Sequence, residues 1–472
     1  MRPAGCPYSG EDNVSQIPIS AASATGSVAG RPAAAGCEFG IHFFWGLLMR
    51  KNRIVQLLAV VLLPVLGLTS CGAGVSEAPA DKTTESTRWS FHEWPTGPYR
   101  VVENWPKPLP DDRHSHQGWT WGSFGGVYAE SPDRIWIAMR GELPLPQGTA
   151  PWTPYAALNP SRGNATGNGD GISATCEKVP LRGWERRYEH SIIILDREGK
   201  LVDEWPHADK LFSQLPCGRG PHQVKISPYD PEKHVWIIDD QLHVIYKFTY
   251  DGKLVHTLGQ LGVRGRGPNT FDRPTDIAWL PDGTYFITDG YGGTRVAKFD
   301  ANNNFLMDWG QPPADPKNPG PNEFNTVHSI AISADQRLFV VDRGHARMQV
   351  FDVNGKFLDM WPLRSPHWPA NQGTLMVNHL IDHNGNIWVG DAPTSRIIKF
   401  DLQGNYLYSW GAPGPQPGRL NCSHGITTDQ LGNLYLADCF AGRVQKFEPI
   451  PGADSDKMVG QIQRTWDTWK SN

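Results

Sequence analysis

One unit recurs along this chain, and it leaves little choice of fold. The segment PTDIAWLPDGTYFITDGYGGTRVAKFDANNNFLMDWG, from Pro274, superposes on segments starting at Pro221, Val327, Asn378 and Ser423. Each copy has an apolar run, a turn rich in Asp, Asn or Gly, and a second apolar run ending near an aspartate. A loop leads to a third run ending in Phe, and a further turn leads to a fourth that often ends in Trp. A more divergent sixth copy starts at Gly126 and is interrupted by a long insertion, roughly 142–187, before HSIIILDREGKLVDEW. Four short strands per unit in six copies predict an all-β fold, a six-bladed β-propeller of four-stranded antiparallel blades. A linear solenoid or two sandwiches fit this unit and period less well. The ring needs a closing strand, and Tyr99 to Trp105 (YRVVENW) and residues 457–466 are the two candidates.

Composition supports many tight turns packed with aromatics: the 472 residues include 50 Gly, 40 Pro and 19 Trp. A net charge of −4 argues against a broad basic face, so no nucleic-acid partner is expected. Seven cysteines are too few for a disulfide scaffold.

Ahead of the repeats, MRKNRIVQLLAVVLLPVLGLTSC (49–71) has a charged start, an apolar run and small residues before a cysteine. That is the pattern of a secretory signal. Its ending, Leu68-Thr69-Ser70-Cys71, resembles a bacterial lipobox, in which the cysteine is lipidated. The sequence therefore predicts a signal peptide over 49–70, a lipidated Cys71 opening a flexible tether over 71–98, and the propeller over 99–472. Residues 1–48 have no place upstream of such a signal, and translation is expected to start at Met49. The expected location is extracytoplasmic, anchored by lipid to a bacterial membrane, at the cell surface or in the periplasm. Disulfides are permitted there. A monomer is expected.

Histidines fall in alternate copies. Fourteen residues before the end of each second strand lie Gly125, Thr275, His328, Val377 and His424; the longer turn of the second copy puts His222 at the same place. The steps from His222 are 53, 53, 49 and 47 residues. This position begins the innermost strand, beside the central channel. Alternate blades of a six-fold ring lie about 120° apart, so His222, His328 and His424 would converge on the axis. Three imidazoles with an open fourth position form a catalytic zinc arrangement. The alternative is three polar side chains bonded to channel water. The alternation favours a metal, with zinc ahead of iron, copper or manganese.

The loops after the second strands bring Arg140, Tyr291 and Arg343 to the same face. A tyrosine beside a metal and arginines can act as a general base, and an arginine can clamp a carboxylate. Alternatively, Tyr291 packs in a turn and the arginines bind aspartates at the blade ends.

From about Gly125 to Phe447 the chain resembles peptidyl-α-hydroxyglycine α-amidating lyase, within the wider group of NHL-repeat propellers. The family's DGY-x-x-x-R-(V/I), PHSLA and ADR stretches are matched by DGYGGTRV, VHSIA and VDR. The resemblance places the zinc ligands on His222, His328 and His424, the catalytic tyrosine on Tyr291 and the active-site arginines on Arg140 and Arg343. DDQLHVIYKF also resembles the family's second blade, including His243. Three departures stand out. The family methionine two residues before the third histidine is Cys422 here. The calcium-linked aspartate just after that histidine is Gly425, which argues against carrying structural Ca2+ over. The family cysteine beside the tyrosine is Gly292, so that disulfide is absent. Cys422 could pair with Cys439, and Cys176 with Cys217, or Cys422 could be a fourth zinc ligand that closes the site.

The resemblance implies a zinc-dependent carbon–nitrogen lyase. Its substrate would be a small-molecule or peptide N-acyl-α-hydroxyglycine, cleaved to a primary amide and glyoxylate. Tyr291 would accept the hydroxyl proton, and Arg140 or Arg343 would hold the carboxylate and keep the tyrosine partly ionised. A second reading is a non-catalytic, surface-anchored NHL propeller that binds a protein, peptide or glycan. A third is a metal-dependent hydrolase or lactonase, whose usual carboxylate ligands the matched positions do not supply.

Overall fold

A strand such as Val235–Asp239 carries no polar residue before its final aspartate. The reason lies in what covers it. Successive side chains of a strand point to opposite faces, and here both faces are buried. Val235 and Ile237 pack on one neighbouring blade, Trp236 and Ile238 on the other. The computed structural model describes residues 95–144 (except 118, 122 and 123), 187–214, 220–364, 376–462 (except 415, 440 and 441), 464 and 465. The signal peptide, Cys71, nearly all of the tether, the interior of the insertion and the Cys176–Cys217 pairing lie outside the described residues.

Six four-stranded antiparallel sheets make the blades. From the channel outward, blade 1 is Phe124–Ser131, Arg134–Met139, Ile192–Leu195 and Leu201–Glu204. Blade 2 is Gln223–Ile226, Val235–Asp239, Val244–Phe248 and Leu254–Leu258. Blade 3 is Pro274–Trp279, Tyr285–Asp289, Arg295–Phe299 and Phe305–Trp309. Blade 4 is Val327–Ile332, Leu338–Asp342, Arg347–Phe351 and Phe357–Pro362. Blade 5 is Met376–Ile381, Ile387–Asp391, Arg396–Phe400 and Tyr406–Trp410. Blade 6 has Ser423–Thr428, Leu434–Asp438 and Arg443–Pro449 as its first three strands. The innermost strands contact one another in ring order, blade 6 returning to blade 1. The fold is a six-bladed propeller.

Six separate apolar clusters hold the ring, one at each seam between blades. At the seam of blades 1 and 2, Trp136 lies edge-on to Trp205 with centroids 5.2 Å apart. At the seam of blades 5 and 6, Trp388 is fully buried against Ile426 and Leu436.

The fourth strand of blade 6 comes from the other end of the chain. Tyr99–Val101 pairs antiparallel with Arg443–Pro449, Tyr99 opposite Pro449 and Val101 opposite Phe447. Of the two candidates for closing the ring, the N-terminal one supplies the strand. The C-terminal segment backs it instead: the Val459 N–H donates to the Tyr99 hydroxyl at 2.7 Å. Tyr99 is 1% exposed and lies between Trp410 and Phe447.

A polar belt runs just behind the channel. Lys225 pairs with Asp276 at 2.5 Å, Asp276 meets Ser329 at 3.0 Å, and Ser329 meets His379 at 2.8 Å. The belt crosses the innermost strands of blades 2 to 5. Burial, reinforced by the Lys225 charge, pushes the His379 imidazole down to about 3.

The closure and the belt each make a testable prediction, with an exposed leucine as control. Tyr99→Ala should cost about 3–5 kcal/mol in chemical denaturation, the range for removing a buried aromatic. Exposed Leu431→Ala should stay within about 0.5 kcal/mol. The unfolded His379 ring titrates near its ordinary value, so below that pH the unfolded state binds the extra proton. Its stabilising contribution is therefore full above about pH 6.5 and is lost as pH falls toward 3. Melting temperature measured from pH 7 to pH 4 should fall less steeply in His379→Asn than in the parent; parallel slopes would refute this.

Candidate active site

The channel residues occupy a repeated backbone irregularity. Thr275 sits unpaired between Pro274, opposite Asp289, and Asp276, opposite Thr288. His328, Val377, His424 and Gly125 hold the same place in their blades. His222 precedes the first pair of blade 2, and its N–H donates to the Ile238 carbonyl at 2.6 Å. An extra residue in one strand bends it and re-aims a side chain. Here it brings the His328 and His424 imidazoles to meet that of His222. Blade 1 has glycine at this place because a Cβ on Gly125 would lie 2.3 Å from the His222 carbonyl oxygen.

Three imidazoles meet at the centre. Ring centroids of His222, His328 and His424 are 4.6–5.3 Å apart, all three rings are buried, and one nitrogen from each lies within 4.8 Å of the others. His222 Nδ1 donates to the Thr275 carbonyl at 2.8 Å, and His424 Nδ1 donates to the Gly125 carbonyl at 2.7 Å. Each acceptor is the bulge residue of the next blade. A ring whose Nδ1 carries the proton presents Nε2 as the lone-pair nitrogen, the usual condition of a metal-bound histidine. The trio therefore fits a metal ion.

Tyr291 lies over the trio. Its hydroxyl is 2.9 Å from His328 Nε2 and 3.2 Å from His222 Nε2. The DGYGG loop that carries it is held by backbone bonds: Gly290 and Tyr291 N–H groups reach the Arg273 carbonyl, and Gly292 and Gly293 reach that of Asp272. A Cβ on Gly292 would fall 2.1 Å from the Asp272 carboxylate. Glycine at 292 thus permits close docking of this loop onto its neighbour.

The arginines take different positions. Arg343 Nη1 donates to the Tyr291 hydroxyl at 3.2 Å. Arg140 donates to Asp240 at 3.4 Å, and Asp240 also binds Arg273 at 2.6 Å. The Arg273 guanidinium stands 4.7 Å from the centre of the Tyr291 ring, so Arg140 joins the assembly through Asp240. His243 Nδ1 accepts the Arg273 N–H at 3.1 Å, and burial holds that imidazole down at about 4. Asp240 and Arg273 were not anticipated from sequence. The Asp239-Asp240 doublet at a strand end and the arginine just before Pro274 were the available signals. Cys422 is buried and disulfide-bonded to Cys439, with Cα atoms 5.4 Å apart. It offers no thiolate to the histidines.

No family model matches the chain. It is 32% identical over 277 residues to peptidyl-alpha-hydroxyglycine alpha-amidating lyase 1 of Drosophila melanogaster, covering 55% of this chain and 49% of that one. It is 27% identical over 238 residues to peptidyl-glycine alpha-amidating monooxygenase B of Xenopus laevis, covering 48% of this chain and 26% of that one. Against NHL repeat-containing protein 3 of Mus musculus it is 34% identical over 179 residues, 36% of this chain and 48% of that one. The chain thus spans between a quarter and a half of the length of these relatives. It is a six-bladed propeller whose homologues include proteins named for α-hydroxyglycine amidation and for NHL repeats.

Proposed function

We propose that the chain is a zinc-dependent lyase that cleaves the C–N bond of an N-acyl- or peptidyl-α-hydroxyglycine, giving a primary amide and glyoxylate. The observation that carries this reading is the convergence at Tyr291. One phenol oxygen meets two of three clustered imidazoles and an arginine. A structural plug has no need of that arrangement. The similarity to the Drosophila lyase points to the same chemistry.

His222, His328 and His424 would hold the zinc. When bound, it supplies Lewis acidity that polarises the substrate hydroxyl. Tyr291 takes the hydroxyl proton as general base. The C–O bond becomes C=O as the C–N bond breaks, and the nitrogen takes up the proton held by Tyr291 and leaves as the primary amide. Arg343, bonded to the tyrosine oxygen, stabilises the negative charge there. Arg140 binds the substrate carboxylate, and Asp240 and Arg273 fix its direction. The buried Cys422–Cys439 link, two residues ahead of His424, fixes the entry of that strand.

We propose further that the substrate is met outside the cytoplasm by a lipid-anchored monomer, Cys71 being the lipidated residue. The 49–71 sequence supports this, and a disulfide suits an oxidising compartment.

Full-length chain, assayed for glyoxylate release from α-hydroxyhippurate with bound zinc measured alongside, tests the reading. Tyr291→Phe should lower turnover by about 10²- to 10⁴-fold, the usual contribution of a general base, with zinc unchanged. His328→Ala should abolish both turnover and central zinc. Unchanged turnover in Tyr291→Phe would remove the assigned base. A folded, zinc-supplemented chain without central metal would leave the ring as a binding scaffold.

A further inference from the structure

A second cluster of metal-binding groups lies away from the channel trio. His114 and His116 are in the segment that leads from the closing strand toward blade 1. Glu142 ends the exit from that blade's second strand, and Glu189 lies where the chain returns to it. One atom each from His114, His116 and Glu142 falls within 4.8 Å of the others. Two short strands, Trp119–Thr120 and Leu143–Pro144, tie these segments together.

Two features point to a cation. Glu142 is 1% exposed, yet its Oε2 has no hydrogen-bond partner among the described residues. A buried carboxylate oxygen without a partner is costly. It stands 3.7 Å from His114 Nε2 and 3.6 Å from Arg187 Nη1, and His114 Nε2 stands 3.4 Å from Glu189 Oε2. These spacings are long for charged hydrogen bonds. Bonds of 2.0–2.1 Å around tetrahedral zinc put neighbouring ligand atoms about 3.3 Å apart, near the 3.4 and 3.7 Å that separate His114 Nε2 from the Glu189 and Glu142 carboxylates. His116 is the second feature. Its Nε2 donates to the Pro110 carbonyl at 3.3 Å, which turns its Nδ1 lone pair toward Glu142 Oε1 at 2.5 Å. At that separation a proton lies between the two atoms, and a bound metal ion would take its place as they move apart to about 3.3 Å. Metal binding at such sites displaces the proton.

The histidine geometry is held from outside the cluster. Arg187 stacks on Trp119 with its guanidinium carbon 3.4 Å from the ring centre, and donates to the carbonyl of Ser115, between the two histidines. The His116 N–H donates to Asp111 at 3.1 Å. The guanidinium thus orients the ligands while it sits beside the carboxylate.

We propose that His114, His116 and Glu142, with Glu189 as fourth ligand, form a second site for a borderline divalent cation of the zinc type. Two imidazoles and two carboxylates, with no thiolate, suit that class. Four protein ligands close the coordination shell, so the site is structural. It fastens the N-terminal segment to both ends of the blade 1 insertion, two residues beyond Arg140.

The test does not depend on the proposed reaction. Full-length chain is stripped with chelator, reloaded with Zn2+ and assayed by elemental analysis. The parent should hold two zinc ions per chain. His114→Ala, whose ring is partly exposed, should hold one fewer while the central trio stays filled. His328→Ala should also lose one, and should still gain melting temperature on adding Zn2+. Glu142→Gln in the His328→Ala background should abolish that gain. A His114→Ala chain with as much zinc as the parent would overturn the proposal. So would a folded His328→Ala chain whose melting temperature ignores Zn2+. Loss of the central zinc alone would count only against the channel site.

Discussion

The unpaired residue at the start of each innermost strand is the constraint on which the channel depends. A regular strand would send alternate side chains into the seams on either side. In alternate blades this position carries the imidazoles that meet at the centre, and at Thr275 and Gly125 its carbonyl faces the histidine of the preceding blade. The same position therefore supplies, in alternate blades, the clustered histidines and the carbonyls that orient two of them. Thr275 receives the His222 proton, and its own hydroxyl donates to the Val327 carbonyl at 2.8 Å. Gly125 receives the His424 proton. Channel chemistry and blade-to-blade cohesion are thus one network.

Aspartates at the ends of the second strands fix where that irregularity falls. Asp289 accepts the Asp272 N–H and pairs with Arg295; Asp342 accepts the Asn325 N–H and pairs with Arg347. In blade 6, Asp438 accepts the Cys422 and Asn421 N–H groups and pairs with Arg443. Each carboxylate ties the approach to an innermost strand to the second and third strands of its own blade. The loop residue that follows, Tyr291 or Arg343, is delivered to the channel from a fixed base.

The repeat made blades, seams and the three histidines legible, because each is a property of position within a unit. The bulge residue lies fourteen positions before the strand-end aspartate in blades 3 to 6, a spacing visible without the strand pairing. What stayed hidden lies outside the repeat frame. Arg273 precedes its blade, in a left-handed conformation at φ 66°, and Asp240 follows the strand-end aspartate Asp239. Cys422 left two partners open, since sequence separation alone does not distinguish a thiolate facing the axis from one facing Cys439. Tyr99 and residues 457–466 had equal claim to the last strand until register decided between them. His114 and His116 sit in a connecting segment whose partners, Glu142 and Glu189, flank an insertion present in only one copy.

The borrowed strand of blade 6 also bears on the order in which the molecule is made. Tyr99–Val101 emerges early in synthesis, while its partner Arg443–Pro449 follows some 340 residues later. At 5–20 residues per second that is roughly 20–70 s with an unsatisfied strand waiting. Waiting edges invite pairing with other chains, and short or charged edges resist it. This one is three residues long, and Arg100 at its centre ends beside Glu448 at 2.8 Å. The strand that locks the ring is therefore among the shortest in it, a form suited to staying solitary until its partner is complete.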